Sequence, residues 1–171
     1  VSSDPSEKEP LLLLDFWREA PDFGDQVPVR FRAAGIELLV SSTQDGSLQS
    51  NLPLLVPAFI TLGLACLRLA KQTGRAALEL DDYANELLFR VTGKEISICS
   101  TMWGRTATLD YEALFDYWLS FAKDARRVIT QRNPEKQSNA YWNLLQDPPD
   151  PMLAEYLTRE SWFEERRDCF K

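Results

Sequence analysis

Leu87-Leu88-Phe89-Arg90-Val91-Thr92-Gly93-Lys94-Glu95-Ile96-Ser97-Ile98-Cys99-Ser100-Thr101-Met102 is the stretch from which the fold is read. Leu87, Phe89 and Val91 recur at every second position, and Ile96, Ile98, Ser100 and Met102 do the same after a break. A period of two places each set on one face of a strand. Thr92-Gly93-Lys94 is a tight turn between them, so 87–91 and 95–102 are expected to pair as a hairpin. Gly93-Lys94 is also the ending of a phosphate-binding loop. Leu88 stands where that loop needs glycine and Glu95 where it needs Ser or Thr, so the pattern fails.

Working toward the C-terminus, Trp103-Gly104-Arg105 breaks the alternation. Asp110 is placed to cap a long helix, with Glu112 in the first turn where negative charge is favoured. Tyr111, Leu114, Phe115, Trp118, Leu119, Ala122, Ala125 and Ile129 form its apolar stripe at helical spacing. Gln131–Asn139 is a polar hinge, Tyr141–Leu145 a short helix, and Asp147-Pro148-Pro149-Asp150-Pro151 an extended break. Met152–Glu165 reads as helical, with Leu153, Tyr156, Leu157 and Phe163 as a docking stripe.

Working toward the N-terminus, Ala76–Leu80 is a short strand before the turn Asp81-Asp82-Tyr83-Ala84-Asn85. A helix from Pro57 to about Lys71 is expected, because proline suits the first turn and Gly74 the stop position. Phe59, Ile60, Leu62, Leu64, Cys66, Leu67 and Leu69 cover most of its circumference, so it is buried on more than one side. The stretch from Gly46 to Arg68 carries no charge before its end. Pro53, Pro57 and its polar start leave an apolar helix of roughly a dozen residues, which fits a core helix rather than a membrane span. Val27–Ala33 and Ile36–Ser41 are expected to be strands around an Ala34-Gly35 turn, with Arg30 or Arg32 facing Glu37. Phe16-Trp17 and Leu11–Leu14 form an amphipathic segment behind a disordered leader whose first residue is not methionine, which points to processing.

The expected class is therefore α+β: an antiparallel sheet of about five strands packed against two main helices, with a helical C-terminal extension. The chain divides into an acidic leader and amphipathic segment (1–26), an α+β core (27–130) and an aromatic-rich tail (131–171) that docks on the core or on a partner.

Composition narrows the function. The 171 residues are 44% hydrophobic and 26% charged, ordinary for a globular chain. None is histidine. That removes the commonest general base, the usual partner of a serine or cysteine nucleophile, and the commonest metal ligand. The net charge of −7 is concentrated at the ends: residues 1–25 carry seven acids against two bases, and 147–171 seven against four. Nucleic acid is not an expected partner, since phosphate binding needs a net basic face. Acidic termini favour a basic partner. The three cysteines form no CxxC pair. Cys66 and Cys99 read as buried small hydrophobes in a reducing, cytoplasmic setting, and Cys169 as exposed.

Asp81, Asp82 and Glu86 are oxygen ligands at a spacing a divalent cation can use. A solvated turn accounts for them more simply, and no metal or cofactor is expected. Trp103 and Arg105 are residue types that dominate protein interfaces, with a half-buried sheet-edge tryptophan as the plainer alternative. These five residues are the candidate partner-binding set.

Residues 77–130 as a whole resemble the small α+β immunity proteins of bacterial toxin systems. The resemblance lies in the order of strand, acidic turn, Leu87–Val91, Ile96–Ile98 and the helix Tyr111–Ile129 with Phe115, Leu119, Phe121 and Val128. It implies a non-catalytic protein that binds a cognate toxin stoichiometrically, plugging its active site or blocking a nearby surface. Two alternatives stand beside it: an adaptor docking through its C-terminal tail, and a histidine-free enzyme using carboxylates, with or without Mg²⁺.

Overall fold

A computed structural model describes residues 10–80, 85–135, 140–146, 148–164 and 167–170. The class is α+β, but the strands are divided into two four-stranded antiparallel sheets and a two-stranded ribbon rather than one sheet. In the first sheet β2 (Val27–Ala33) pairs with β1 (Leu13–Phe16) on one side and with β3 (Ile36–Glu37) and β6 (Leu52–Leu54) on the other. β4 (Ser41–Ser42) and β5 (Leu48–Gln49) form the ribbon. Asp45 holds its tip by accepting from the Ser47 amide at 3.0 Å and from the Thr43 and Ser47 hydroxyls, which keeps the Asp45 carboxyl down at about 2.

The second sheet is a meander of β7 (Arg75–Glu79), β8 (Glu86–Thr92), β9 (Glu95–Ser100) and β10 (Arg105–Asp110). The central hairpin forms as its alternation predicts. Leu87, Phe89, Ile96 and Ile98 are fully buried on the inner face, with Phe89 opposite Ile98. β9 stops at Ser100, two residues short of expectation, so Met102 is half-exposed in the turn. β10 was not expected. Its side chains, Arg-Thr-Ala-Thr-Leu-Asp, bury only Ala107 and so leave no apolar alternation to read.

α1 (Val56–Thr73) and α2 (Tyr111–Arg132) pack against one another and against the sheets. Gly74 ends α1 in the left-handed conformation (φ 95°), and the Asp110 carboxylate caps α2 by accepting from Ala113 N–H at 2.9 Å. Where the two helices meet, Gly63 of α1 lies directly under the buried Trp118 ring of α2. That indole donates to the Ile60 carbonyl at 2.8 Å. No helix among the described residues is long and apolar enough to cross a membrane.

The described segments before β2 and after α2 fold onto this body. Leu14 and Phe16 of β1 enter the core, and Phe16 meets Phe23 and Phe121 edge-on. Arg132 and Asn133, at the end of α2, bond the backbone of residues 19–23. In the tail, a 3-10 segment (Ala140–Leu145) buries Trp142 and Leu145 beside α1. The Arg68 guanidinium donates to the carbonyls of Leu144 and Leu145 at 2.6 and 2.7 Å. The tail then runs through α3 (Pro151–Leu157), α4 (Glu160–Glu164) and a final 3-10 turn (Arg167–Phe170).

The segment after β3 departs from expectation. Leu38, Leu39 and Val40 are all buried, so consecutive side chains point inward and no strand alternation survives. Arg30 and Arg32 both reach Glu37, at 2.6 and 2.7 Å.

Candidate functional site

The outer face of the second sheet carries an ordered array of polar and apolar side chains. Cross-strand register lines its residues up in three rows. One row is basic and polar: Arg75 opposite Arg90, then Ser97 and Thr108, whose hydroxyls bond at 2.9 Å. The middle row is apolar and small: Ala77, Leu88, Cys99, then Thr106. The last is acidic: Glu79 opposite Glu86, with Thr101 beyond. A strand pattern normally alternates apolar-in with polar-out. Here Leu88 and Cys99 are fully buried although they point away from the main core.

The C-terminal tail covers them, and it meets each row with matching chemistry. Trp162 and Phe163 close over Ala77, Leu88 and Cys99 to form a small core separate from the main one. Arg75 lies over the Phe163 ring and Arg90 over the Phe170 ring, at 4.6 and 4.4 Å, distances at which a cation is attracted to an aromatic face. Thr106 donates to the Cys169 carbonyl at 2.8 Å. Cys99 and Cys169 form a disulfide. This corrects the expectation that Cys99 is an unpaired buried thiol and Cys169 a free exposed one. Cys66 alone among the three forms no disulfide; it lies on the buried side of α1 facing β7, where burial pushes its thiol well above the usual range.

At the acidic row the Tyr156 hydroxyl donates to the Glu79 carboxylate at 2.6 Å. That bond raises the Tyr156 pKa, with desolvation and the Glu79 charge adding to it. Arg159 lies over both the Tyr156 and Trp162 rings. Glu86 is nearly buried, accepting from the Thr101 hydroxyl at 2.6 Å. Asn85, fully buried, accepts from the Met102 amide at 3.0 Å and so ties the start of β8 to the turn after β9.

Of the five residues singled out in the sequence, Glu86 lies in this acidic row, while Asp81 and Asp82 fall outside the described residues. Trp103 and Arg105 sit in the adjoining turn and strand. They are half-buried and spend donors within the chain: Trp103 Nε1 on the Val40 carbonyl at 3.0 Å, and Arg105 Nη1 on the Glu37 carbonyl at 3.3 Å. They join the two sheets. The residues that sequence reasoning missed are Glu79, Asn85, Tyr156 and the Cys99–Cys169 pair. Tyr156 appeared only as a docking residue, and its partner lies 77 positions away.

Among the described residues no three carboxylate or cysteine groups converge as a metal site. A cleft of about 360 Å³ lies between α1, α2 and Pro148-Pro149. Three of its polar side chains already serve the fold. Arg68 holds the tail carbonyls, Lys71 lies over the Tyr111 ring at 4.8 Å, and the Tyr111 hydroxyl donates to the Leu67 carbonyl at 2.7 Å. Burial, reinforced by the Glu112 charge, pushes Tyr111 up to about 12.

Comparison with protein-family models, with curated proteins and with solved structures found no match.

Proposed function

We propose that the protein is a non-catalytic binding protein that presents the acidic end of its second sheet to a basic protein partner. Its most concrete form is an immunity protein neutralising a cognate toxin in the cytoplasm. The observation that carries this reading is the pairing of carboxylates with exposed, adaptable apolar side chains. Glu79 and Glu86 stand side by side across β7 and β8. Met102 is 50% exposed in the turn alongside Glu86, and Tyr156 is 39% exposed where it bonds Glu79. Met152, one helical turn from Tyr156, is 82% exposed. Exposed methionine and tyrosine beside the exposed Glu79 carboxylate, with Glu86 behind it and Arg159 over the Tyr156 ring, give a surface a packing component and an acidic edge for a basic partner.

The adaptor reading has less support. Trp142, Leu145, Leu157, Trp162 and Phe163, the residues an adaptor tail would offer, are buried on the chain's own core.

Co-expression with the product of the neighbouring gene, followed by co-purification and growth assay, tests the proposal. A one-to-one complex and relief of toxicity are expected. The Glu79→Lys/Met102→Ala double variant should weaken the complex by about tenfold or more and flatten its salt dependence. No complex and no protection would sink the immunity reading. A thermal shift with Mg²⁺ alone would point instead to carboxylate chemistry.

A further inference from the structure

The geometry points to a thiol-controlled latch: the Cys99–Cys169 disulfide locks the C-terminal strap over the outer face of the second sheet, and its reduction lets that strap leave while the main core stays folded. The inference does not depend on the identity of any partner.

Three observations carry it. First, the strap, 160–164 and 167–170, rests on a core of its own. Trp162 and Phe163 pack with Ala77, Leu88 and Cys99, apart from the cluster that joins α1, α2 and both sheets. A satellite core can open by local unfolding without disturbing the rest. Second, the described side chains of its last turn meet the sheet at the rim of that satellite core: Cys169 and Phe170 pack against it, the Phe170 ring lies under Arg90, and the Cys169 carbonyl accepts from Thr106. Third, the two cysteines differ in exposure. Cys99 is fully buried, whereas Cys169 is partly exposed. The latch therefore places attack by a solvent thiolate on the Cys169 side of the bond.

The chemistry balances with a small thiol, such as a dithiol or the glutathione class. Its thiolate attacks Cys169 Sγ, forms a mixed disulfide there and expels the Cys99 thiolate, which takes up a proton. A second thiol then attacks the mixed disulfide, releases Cys169 as a thiol and leaves as the oxidised reagent. Two electrons pass from the two thiols to the bond. In a thiol-rich cytoplasm disulfides are rare and those present are mostly reversible, which is the setting in which such a latch is useful. Opening presents the Ala77-Leu88-Cys99 row, edged by Arg75 and Arg90 on one side and Glu79 and Glu86 on the other.

Timed alkylation of the folded protein tests the latch, with Cys66 as an internal reference in the main core. Dithiothreitol at neutral pH without denaturant should reduce the bond. Cys99 should then react faster than Cys66 by on the order of tenfold or more. The Cys169→Ser variant should give the same Cys99 reactivity with no reductant present. Any of these results would overturn the proposal: a bond that resists thiol until denaturant is added, a Cys99 that stays as slow as Cys66 once reduced, or a Cys66 that becomes fast together with Cys99. The last would make the disulfide a staple of the whole fold, and a Cys169→Ser protein that fails to fold would say the same.

Discussion

The two faces of the second sheet are covered in different ways. On the inner face Leu87, Phe89, Ile96 and Ile98 meet a continuous core shared with α1 and α2, held by close packing. On the outer face a short strap rests on a small satellite core of Ala77, Leu88, Cys99, Trp162 and Phe163, flanked by two cation–aromatic contacts, a hydrogen bond from Thr106 and a disulfide. Apolar packing among many neighbours is cooperative and hard to undo piecemeal. A small core separate from the main one can be undone locally. The inner face is therefore the scaffold, and the outer face carries the proposed latch and the proposed partner surface.

The largest expected effect breaks the inner side of this comparison. In isolation Gly63→Ala should favour α1 by about 1 kcal/mol, since alanine is the better helix former. A Cβ at that position, however, would sit 3.0 Å from both Cε2 and Cη2 of Trp118, and closer still to Cζ2. The indole is fully buried and tied to Ile60, so it has little freedom to move aside. Overpacking of this kind costs roughly 1–3 kcal/mol or more and should outweigh the propensity gain. A net loss of about 1–2 kcal/mol is expected by denaturant titration. Unchanged or increased stability would mean that the helix contact is looser than described.

That contact also marks how much of the fold could be read in advance. Trp118 and the stripe around it were legible because a 22-residue helix repeats its apolar positions many times. So were the hairpin at Gly93 and the Gly74 stop, where a positive φ selects glycine. β1 and β10 were not, because a strand of four or six residues with few buried positions has too little pattern to detect. Leu38-Leu39-Val40 misled for the opposite reason: a run buried on all sides looks like a strand but here is a connection pinned by Trp103 and Arg105. In the candidate site Glu86 was singled out from the sequence, while Glu79 and Tyr156 were not. Their bond, like the disulfide spanning 70 positions, depends on where the tail returns. Local periodicity carries no information on that return.

A smaller effect sharpens the outer side. Tyr156→Phe removes only the hydroxyl bond to Glu79. At a partly exposed position the loss should stay below about 1 kcal/mol. Its pH dependence has a fixed sign. Because the folded protein raises the Tyr156 pKa, the bond contributes fully below the ordinary tyrosine value and fades as pH rises through the raised one. The stability difference between the wild type and Tyr156→Phe should therefore be constant near neutral pH and shrink at strongly alkaline pH. A difference that grew with pH would contradict the direction of the shift.

Hydrogen–deuterium exchange of the oxidised and thiol-reduced protein tests the contrast between the two faces most directly. On reduction, amides of residues 160–164 and 167–170 should exchange faster by on the order of tenfold or more, while those of α1, β8 and β9 keep their protection. Strap and core losing protection together, or neither changing, would contradict the account.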